Sequence, residues 1–296
     1  MSGLARDLVV TSRAAGMMLA FAGAACWSTG GFFVRLAGPV DVFQINFYRA
    51  LMVFAVMGLW LLNSHGRRLA AVFAQAGWNS VFAGVALAMA GLTFVGAVAY
   101  ISVGQAIFMT GISPFASALL ARVFLKEAIS PVTWAAMAVA ALGLGVMTMG
   151  SEGGGAVTGM ALALASGFAF ACYNVALRAG ARTDMVTAII WNAVFLFFVC
   201  GAVLYARGMF SIPAFSLAAI SGMAIVQLCM GLWLFTRGSR SVPAAELGLI
   251  SLAEPVLSPI WVWLAFGETT PVPVIIGGGI ILGAIVVQTL GGFRRG

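Results

Sequence analysis

The amino-acid sequence predicts an all-α integral membrane protein, and three properties support this. Of its 296 residues, 62% are hydrophobic and only 8% are charged, whereas soluble domains are about 25% charged. The mean hydropathy is +1.09. Apolar runs of about 20 residues recur along the chain, and this is the length that an α-helix needs to cross a bilayer. The runs do not alternate apolar and polar residues, as the strands of a membrane barrel would.

Ten apolar spans can be drawn along the chain. They cover residues 14–35, 42–62, 79–101, 104–124, 131–150, 157–177, 186–206, 215–236, 242–266 and 271–291. With a cytoplasmic N-terminus, 12 of the 15 basic residues lie in or next to inside loops, the exceptions being Arg35, Arg49 and Arg207. Cytoplasmic loops are enriched in Lys and Arg. We therefore expect both termini to be cytoplasmic, and the net charge of +7 gives no reason to expect a nucleic acid as partner.

The two halves of the chain resemble each other. Gly16 to Arg35 aligns with Gly159 to Arg178, and Pro114 aligns with Pro255. An odd number of spans in each half makes the halves upside down relative to each other, which is a recurring plan of secondary transporters.

This pattern predicts two inverted five-helix repeats. The first comprises residues 1–150 and the second residues 151–296. The Gly-rich segment 150–155 joins them as a loop.

The ninth span carries two carboxylates, Glu246 and Glu254, on one helical face together with Ser258. A charged side chain near the bilayer centre costs about 2.5–3.5 kcal/mol on insertion scales, so these residues need a reason to be there. Glu254 lies near the middle of the span and could bind a proton or a substrate ammonium group. Glu246 lies near the cytoplasmic end and could instead pair with Arg237 or Arg240.

The fourth span repeats this polar face. Gln105, Ser113 and Ser117 align with the three polar residues of the ninth span. Pro114 and Pro255 each remove a backbone donor and free a carbonyl group, so we expect a kink in both helices and a hinge at each proline. Two kinked helices about a pseudo-two-fold axis would form a central polar pocket. Alternatively, the serines and Gln105 only bond neighbouring helices, and the prolines only shape packing.

The second span places Asn46 and Arg49 on one helical face. Arginine binds a carboxylate through two parallel hydrogen bonds, so Arg49 could hold the carboxylate of a substrate. It could equally pair with an internal carboxylate, or extend its side chain outward to the membrane surface.

Five further residues are candidates for lining the pocket: Trp27, Tyr100, Tyr173, Asn174 and Asn192. Trp27 and Tyr173 lie well inside their spans, and a buried tyrosine hydroxyl needs a hydrogen-bond partner. Aromatic walls suit a flat apolar substrate or a cation. Most aromatic residues of membrane proteins face lipid or the interfacial belts instead.

Several short motifs carry a resemblance to a known family. They are Trp27-Ser28, Arg49-Ala50, Pro114 with Leu125 to Glu127, and Pro255 with Gly267-Glu268. With them the chain resembles the drug/metabolite transporter superfamily in its EamA-type ten-helix branch. The resemblance implies a multi-pass carrier in the bacterial inner membrane, and within the branch the chain is most similar to the YddG-type exporters of aromatic amino acids. It departs from twofold symmetry at Arg49, whose counterpart is Asn192.

The predicted function is therefore export of a small amphipathic metabolite by alternating access, with an aromatic or other hydrophobic amino acid as substrate. The alternative within transport is a multidrug or organic-cation extruder that uses Glu254 as its cation and proton site. An enzyme is disfavoured because no histidine lies inside a span and no metal cluster or catalytic triad is visible. A channel or an assembly subunit is a further alternative.

We expect no cofactor and no metal. The expected partners are the substrate and the lipid bilayer, and the expected state is a monomer or a weak homodimer. The chain has no nucleotide-binding loop, so transport would be uniport or ion-coupled.

Overall fold

A computed structural model describes residues 12–98, 100–101, 106, 109–147, 157–267 and 272–293. All regular secondary structure in these residues is helical. The first half contains α1 (Arg13–Trp27), α2 (Gly30–Ala37), α3 (Val42–His65), α4 (Leu69–Val98), α5 (Ser113–Leu120) and α6 (Pro131–Met147). The second contains α7 (Val157–Ala179), α8 (Thr187–Arg207), α9 (Ala214–Met223), α10 (Gly231–Gly238), α11 (Ala244–Ser251), α12 (Ala253–Phe266) and α13 (Val272–Phe293).

Within the described residues, six helical stretches are long and apolar enough to cross a membrane. One of them, Val42–Ala97, is 56 residues long and contains both α3 and α4, separated by a 3-10 turn. Shorter apolar helices occur at Ser113–Leu125, Pro131–Val146 and Ile275–Val287. The prediction of a multi-pass helical membrane protein is therefore confirmed. The number of ten spans and the side of the termini stay predictions.

Local sequence signals set the ends of α3, the helix that carries Arg49. Asp41 and Gln44 form a capping box at its start, where the Asp41 carboxylate accepts from the Phe43 backbone N–H at 2.8 Å. Such a cap satisfies backbone donors that have no partner inside the helix. The helix ends at Gly66, whose φ of 50° suits a residue without a Cβ. Arg49 is thereby held about two turns from one end of the bundle.

The fourth and ninth spans are both interrupted beside their prolines. The chain turns at residues 111–112, and α5 begins there with Pro114 in its first turn. Leu252 separates α11 from α12, three residues before Pro255. Proline cannot donate to the carbonyl four residues earlier, and its ring clashes with it. The sequence thus correctly indicates a discontinuity in each of these two helices.

Helices of opposite repeats pack closely through glycines. A Cβ at Gly248 on α11 would lie 2.9 Å from the Pro114 Cα and 3.2 Å from the Ser117 Oγ, so the two interrupted helices cross at this point. Gly23 and Gly231 bring α1 against α10 in the same way, because a Cβ at Gly23 would lie 2.7 Å from the Gly231 carbonyl oxygen. Small residues at such contacts allow membrane helices to approach at backbone distance.

The crossing at Gly248 can be tested by adding a side chain. Gly248→Val forces atoms onto the Pro114 backbone, and overpacking of this kind costs about 1–3 kcal/mol. We expect a lower melting temperature in detergent, measured by tryptophan fluorescence. Gly279→Val is the matched control on α13, because nothing lies within 4 Å of a Cβ at that position. Equal melting temperatures for the two variants would contradict the packing described here.

Candidate functional site

Arg49 on α3 and Glu254 on α12 face each other in the interior of the bundle. The two charges interact electrostatically, and the surrounding protein desolvates both. Their charged atoms are farther apart than the 4.0 Å of a direct ion pair. Each residue nevertheless keeps some solvent-accessible surface. Depth combined with accessibility is what side chains that line an internal cavity show.

The first-repeat side of this site is held by side-chain hydrogen bonds. The Arg49 guanidinium donates to the Asn46 Oδ1 at 2.6 Å, and the Asn46 amide donates to the Val42 carbonyl oxygen at 2.9 Å. Cys200 on α8 contributes to the electrostatic environment of Arg49. The buried Nε of Arg49 has no hydrogen-bond partner in the described part of the chain. The guanidinium is thus oriented by Asn46 and keeps donor capacity for another group.

Glu254 has less support from its surroundings. Its side chain makes no hydrogen bond or ion pair with any described residue. Ser258, one turn further along α12, is also partly exposed and forms no side-chain hydrogen bond within the described ranges. An isolated carboxylate away from water is unfavourable unless it is paired or protonated. The site therefore presents an acceptor ready for an ammonium group or a proton.

A second polar group lies where α5 meets α7. The Asn174 amide donates to the Ser117 Oγ at 3.3 Å, and both residues are fully buried. The Asn174 Oδ1 and the Ser113 Oγ are buried without a partner among the described residues. Buried polar groups normally find one. Two unsatisfied oxygen atoms beside the break in the fourth span make this group a candidate contact for a polar ligand.

Trp27 and Tyr173 meet in one aromatic cluster with Phe170 and Phe235. The Trp27 ring lies 4.6 Å from the Phe235 ring and 5.8 Å from the Phe170 ring, centroid to centroid. Tyr173 stacks on Phe235 at 6.4 Å, and its hydroxyl lies 3.5 Å from the Thr236 Oγ1. Three helices, α1, α7 and α10, contribute to this cluster. It forms an apolar wall whose only accessible surface belongs to Trp27 and Phe170.

The remaining predicted residues are not gathered at these groups. Tyr100 has 56% of its surface exposed and lies beside Gly159. Asn192 is buried where α8 packs on Gly84, and its side chain forms no hydrogen bond with a described residue. Gln105 lies outside the described residues. Pro114 is buried, and Pro255 lies in the first turn of α12.

The ion-pair partners predicted for Glu246 were wrong. Glu246 is 2% exposed and accepts two hydrogen bonds from Arg13, from its Nε at 3.3 Å and from its Nη2. The sequence suggested Arg237 or Arg240, which are nearer along the chain. Arg13 is 233 positions away, but α1 packs directly on α10 and brings it to the start of α11.

Sequence reasoning missed Gln227 and the pairing of Ser28 with Trp261. Gln227 lies in a π-helical turn, Ala224–Met230, and its amide donates to the Trp27 carbonyl oxygen at 3.1 Å. The Trp261 Nε1 donates to the Ser28 Oγ at 2.7 Å, at the break between α1 and α2. π-helical turns are frequent at functional sites. A lone glutamine within the apolar eighth span was the available signal.

The fold and the candidate site together indicate the class of protein. Apolar helices in a repeated arrangement, with opposed charges inside, form a multi-pass membrane protein with an internal polar site. The model of the EamA-like transporter family matches the sequence twice, at residues 14–149 and 157–290. The chain therefore belongs to the EamA-like transporter family, which makes it a drug/metabolite-type transporter with a small-molecule substrate.

Comparison with solved structures agrees on the fold. One crystal structure of a protein shares 20% sequence identity and a TM-score of 0.77, covering 96% of this chain and 99% of its own. At this identity the likeness concerns the fold alone. No match was found among curated proteins.

The pairing of Arg13 with Glu246 gives a stability prediction. Arg13→Gln removes charge-assisted bonds from a buried carboxylate, and hydrogen bonds to charged groups contribute about 1.5–3 kcal/mol. The Arg207–Asp41 pair is the matched control, because Arg207 is half exposed and its N–O distance is 3.7 Å; exposed pairs contribute about 0–1 kcal/mol. We expect a clear drop in melting temperature for Arg13→Gln and a small one for Arg207→Gln. The reverse order would show that the buried pair is not the stabilising one.

Proposed function

We propose that the protein is a secondary transporter that exports amino acids with aromatic or other hydrophobic side chains across the bacterial inner membrane. One observation carries this proposal: Arg49 and Glu254, both partly accessible inside the bundle, oppose each other without direct contact. A free amino acid carries both complementary charges on adjacent groups. Its carboxylate would bind Arg49 and its ammonium group would bind Glu254, so that each buried charge gains a partner.

The apolar part of the substrate is inferred from the aromatic cluster. Trp27 and Phe170 offer ring surface on α1 and α7, and a buried aromatic pair contributes about 0.5–1.5 kcal/mol beyond the area it buries. Hydrophobic side chains suit such a wall better than charged ones. The resemblance to YddG-type exporters supports the same substrate class.

The pocket proposed here combines the residues expected from the sequence. Arg49, Asn46 and Glu254 bind the charged groups, and Ser113, Asn174 and Ser258 add polar contacts. Trp27 and Phe170 form the wall, and the fully buried Tyr173 packs behind Phe170 in the same cluster. Tyr100, Gln105 and Asn192 remain candidates whose role is proposed from the sequence alone.

Alternating access would occur between two inverted repeats, residues 1–150 and 151–296. In this proposal ten helices cross the membrane, both termini are cytoplasmic, and Pro114 and Pro255 are the hinges. The breaks beside these prolines support a hinge, because the freed carbonyl groups leave the helix halves without a continuous hydrogen-bond ladder. Transport runs either as uniport, driven by the substrate gradient, or coupled to protons, and the protein acts as a monomer or weak dimer.

A multidrug or organic-cation extruder is the second candidate. It is favoured by the unpaired state of Glu254 among the described residues. The nearness of Arg49 speaks against it, because two like charges in a medium of low dielectric constant repel strongly. A cation alone would also leave Arg49 without a partner for its free donor.

Substrate choice can be measured by counterflow in liposomes. We expect saturable exchange of radiolabelled phenylalanine and tryptophan, with little exchange of threonine and none of glutamate, because the wall is apolar and the site holds one charge of each sign. Equal flux for all four amino acids, or no flux, would refute the aromatic substrate.

The roles of the two charges can be separated with three compounds that share one ring. Phenylalanine has both charged groups, phenethylamine has only the ammonium group, and 3-phenylpropionate has only the carboxylate. Arg49→Gln should abolish competition by phenylpropionate and spare phenethylamine, and Glu254→Gln should do the opposite. Each lost charge-assisted pair should reduce phenylalanine flux at low concentration about tenfold or more.

Arg207→Gln is the matched control, since it also removes an arginine from the protein but at an exposed position. Unchanged flux in both pocket variants would overturn the proposed binding mode. Strong transport of phenethylamine that depends on Glu254 and improves in Arg49→Gln would favour the cation extruder.

A further inference from the structure

Three basic residues lie around one carboxylate, away from the central site. We call this group the Asp184 cluster and define it as His65, Asp184, Arg237 and Arg240. The Asp184 oxygens lie 3.5 Å from the His65 Nε2, 3.7 Å from the Arg237 Nη2 and 3.6 Å from the Arg240 Nη2. These three basic groups come from the end of α3, the end of α10 and the segment between α10 and α11.

The cluster adds a link between two groups of helices that also meet in the aromatic cluster and through the Arg13–Glu246 pair. In one group, α1 contacts α10 through Gly23 and Gly231, and α3 contacts α10 through Trp60 and Trp233, whose rings lie 6.1 Å apart. The Arg237 guanidinium sits over both tryptophan rings, at 6.0 Å and 5.5 Å from their centroids.

In the other group, α5 bonds α7 through Ser117 and Asn174, and α5 packs on α11 at Gly248. Asp184 lies in the turn that connects α7 to α8, so its ion pairs link this turn to the first group. Arg178 at the end of α7 extends the crossing, because it bonds Glu127 at 2.6 Å and the Arg240 carbonyl oxygen at 2.7 Å.

We propose that the Asp184 cluster is a latch that closes one end of the transport path and opens once in each transport cycle. This inference rests on the proposed alternating-access function. The layer directly behind the cluster supports it: Tyr173, Phe235 and Thr236 are at most 2% exposed and join α7 to α10. With the cluster closed, no described side chain of this layer is accessible from that end.

The opposite end of the bundle lacks such a crossing in the part of the chain that the structure describes. There, Gln44 bonds the carbonyl oxygens of Met209 and Ser211, and Asp41 pairs with Arg207. These contacts join α3 to the segments around α8 and α9, and none reaches α5 or α7. Among the described residues, the contacts at the two ends of the bundle therefore join different helices.

Several features of the Asp184 cluster favour opening of the latch. Its ion-pair distances exceed those of charge-assisted hydrogen bonds, which are about 2.7–2.9 Å. The His65 Nδ1, the Arg237 Nε and the Trp233 Nε1 are buried without partners among the described residues. Burial and the nearby Arg237 lower the pKa of Arg240, while Asp184 opposes this. One carboxylate for two guanidinium groups leaves a repulsion that limits the stability of the closed state.

Thiol labelling tests the latch without any substrate. The four native cysteines are replaced by alanine, and Thr236→Cys is introduced in the buried layer behind the cluster. The protein in nanodiscs is treated with a charged methanethiosulfonate reagent, and the labelling rate is measured. Asp184→Asn should raise this rate about tenfold, which corresponds to about 1.4 kcal/mol at 25 °C. Arg237→Gln should act in the same direction, and Asp184→Glu should restore a slow rate.

Asp41→Asn is the matched control at the opposite end, and it should leave the labelling of Thr236→Cys unchanged. A second probe, Leu204→Cys, reports unfolding, because Leu204 is fully buried in α8. The latch proposal is wrong if Asp184→Asn does not accelerate labelling, if Asp41→Asn accelerates it equally, or if Leu204→Cys becomes reactive as well. Failure of amino acid transport would refute the proposed substrate and leave these rates unaffected.

Discussion

The interior of this protein is organised around two opposite charges that do not touch. A charge inside a membrane protein is expensive to bury, and a direct ion pair between Arg49 and Glu254 would be the simplest compensation. The fold prevents it by fixing each partner separately: Asn46 and the capped start of α3 orient the arginine, and the break at Leu252 sets the direction of α12. Two opposite charges held apart in this way are a candidate site, and the ligand proposed for it carries both complementary charges.

The two repeats share a frame but not their chemistry. Both interrupted helices have a proline at matching positions, and they cross where Gly248 meets Pro114. The charges break this symmetry, because Glu254 corresponds to Ser113 and Arg49 corresponds to Asn192. The repeat thus accounts for how the helices are arranged, whereas each charge of the site is present in only one half. The charged contacts at the two ends are related but unequal: Asp41, which aligns with Asp184, pairs with Arg207, whereas Asp184 lies near three basic groups.

Much of the fold and part of the candidate site could be predicted because they follow from local sequence patterns. Apolar runs predict membrane helices, and prolines within them predict breaks, since both follow from backbone hydrogen bonding in lipid. A carboxylate in the middle of a span, such as Glu254, indicates a functional position. Partners across the fold could not be predicted in this way. Arg13 reaches Glu246 only because glycines bring α1 onto α10, and His65 meets Asp184 only through the packing of two loops. The role of Gln227 was missed because its hydrogen-bond partner is the backbone carbonyl group of Trp27, and the sequence alone does not show this contact.

The glycine contacts between α1 and α10 have a consequence for sequence change. At Gly16, Gly23, Gly231 and Gly238 an added methyl group would meet atoms of the facing helix. We therefore expect substitutions to be tolerated least at the seam formed by these four glycines, although they carry no charge and are not themselves proposed to contact a ligand. Variation within this protein would be concentrated on lipid-facing positions and in loops, while this seam stays constant. A glycine in this seam is hard to replace because only a residue without a side chain fits between the two helices.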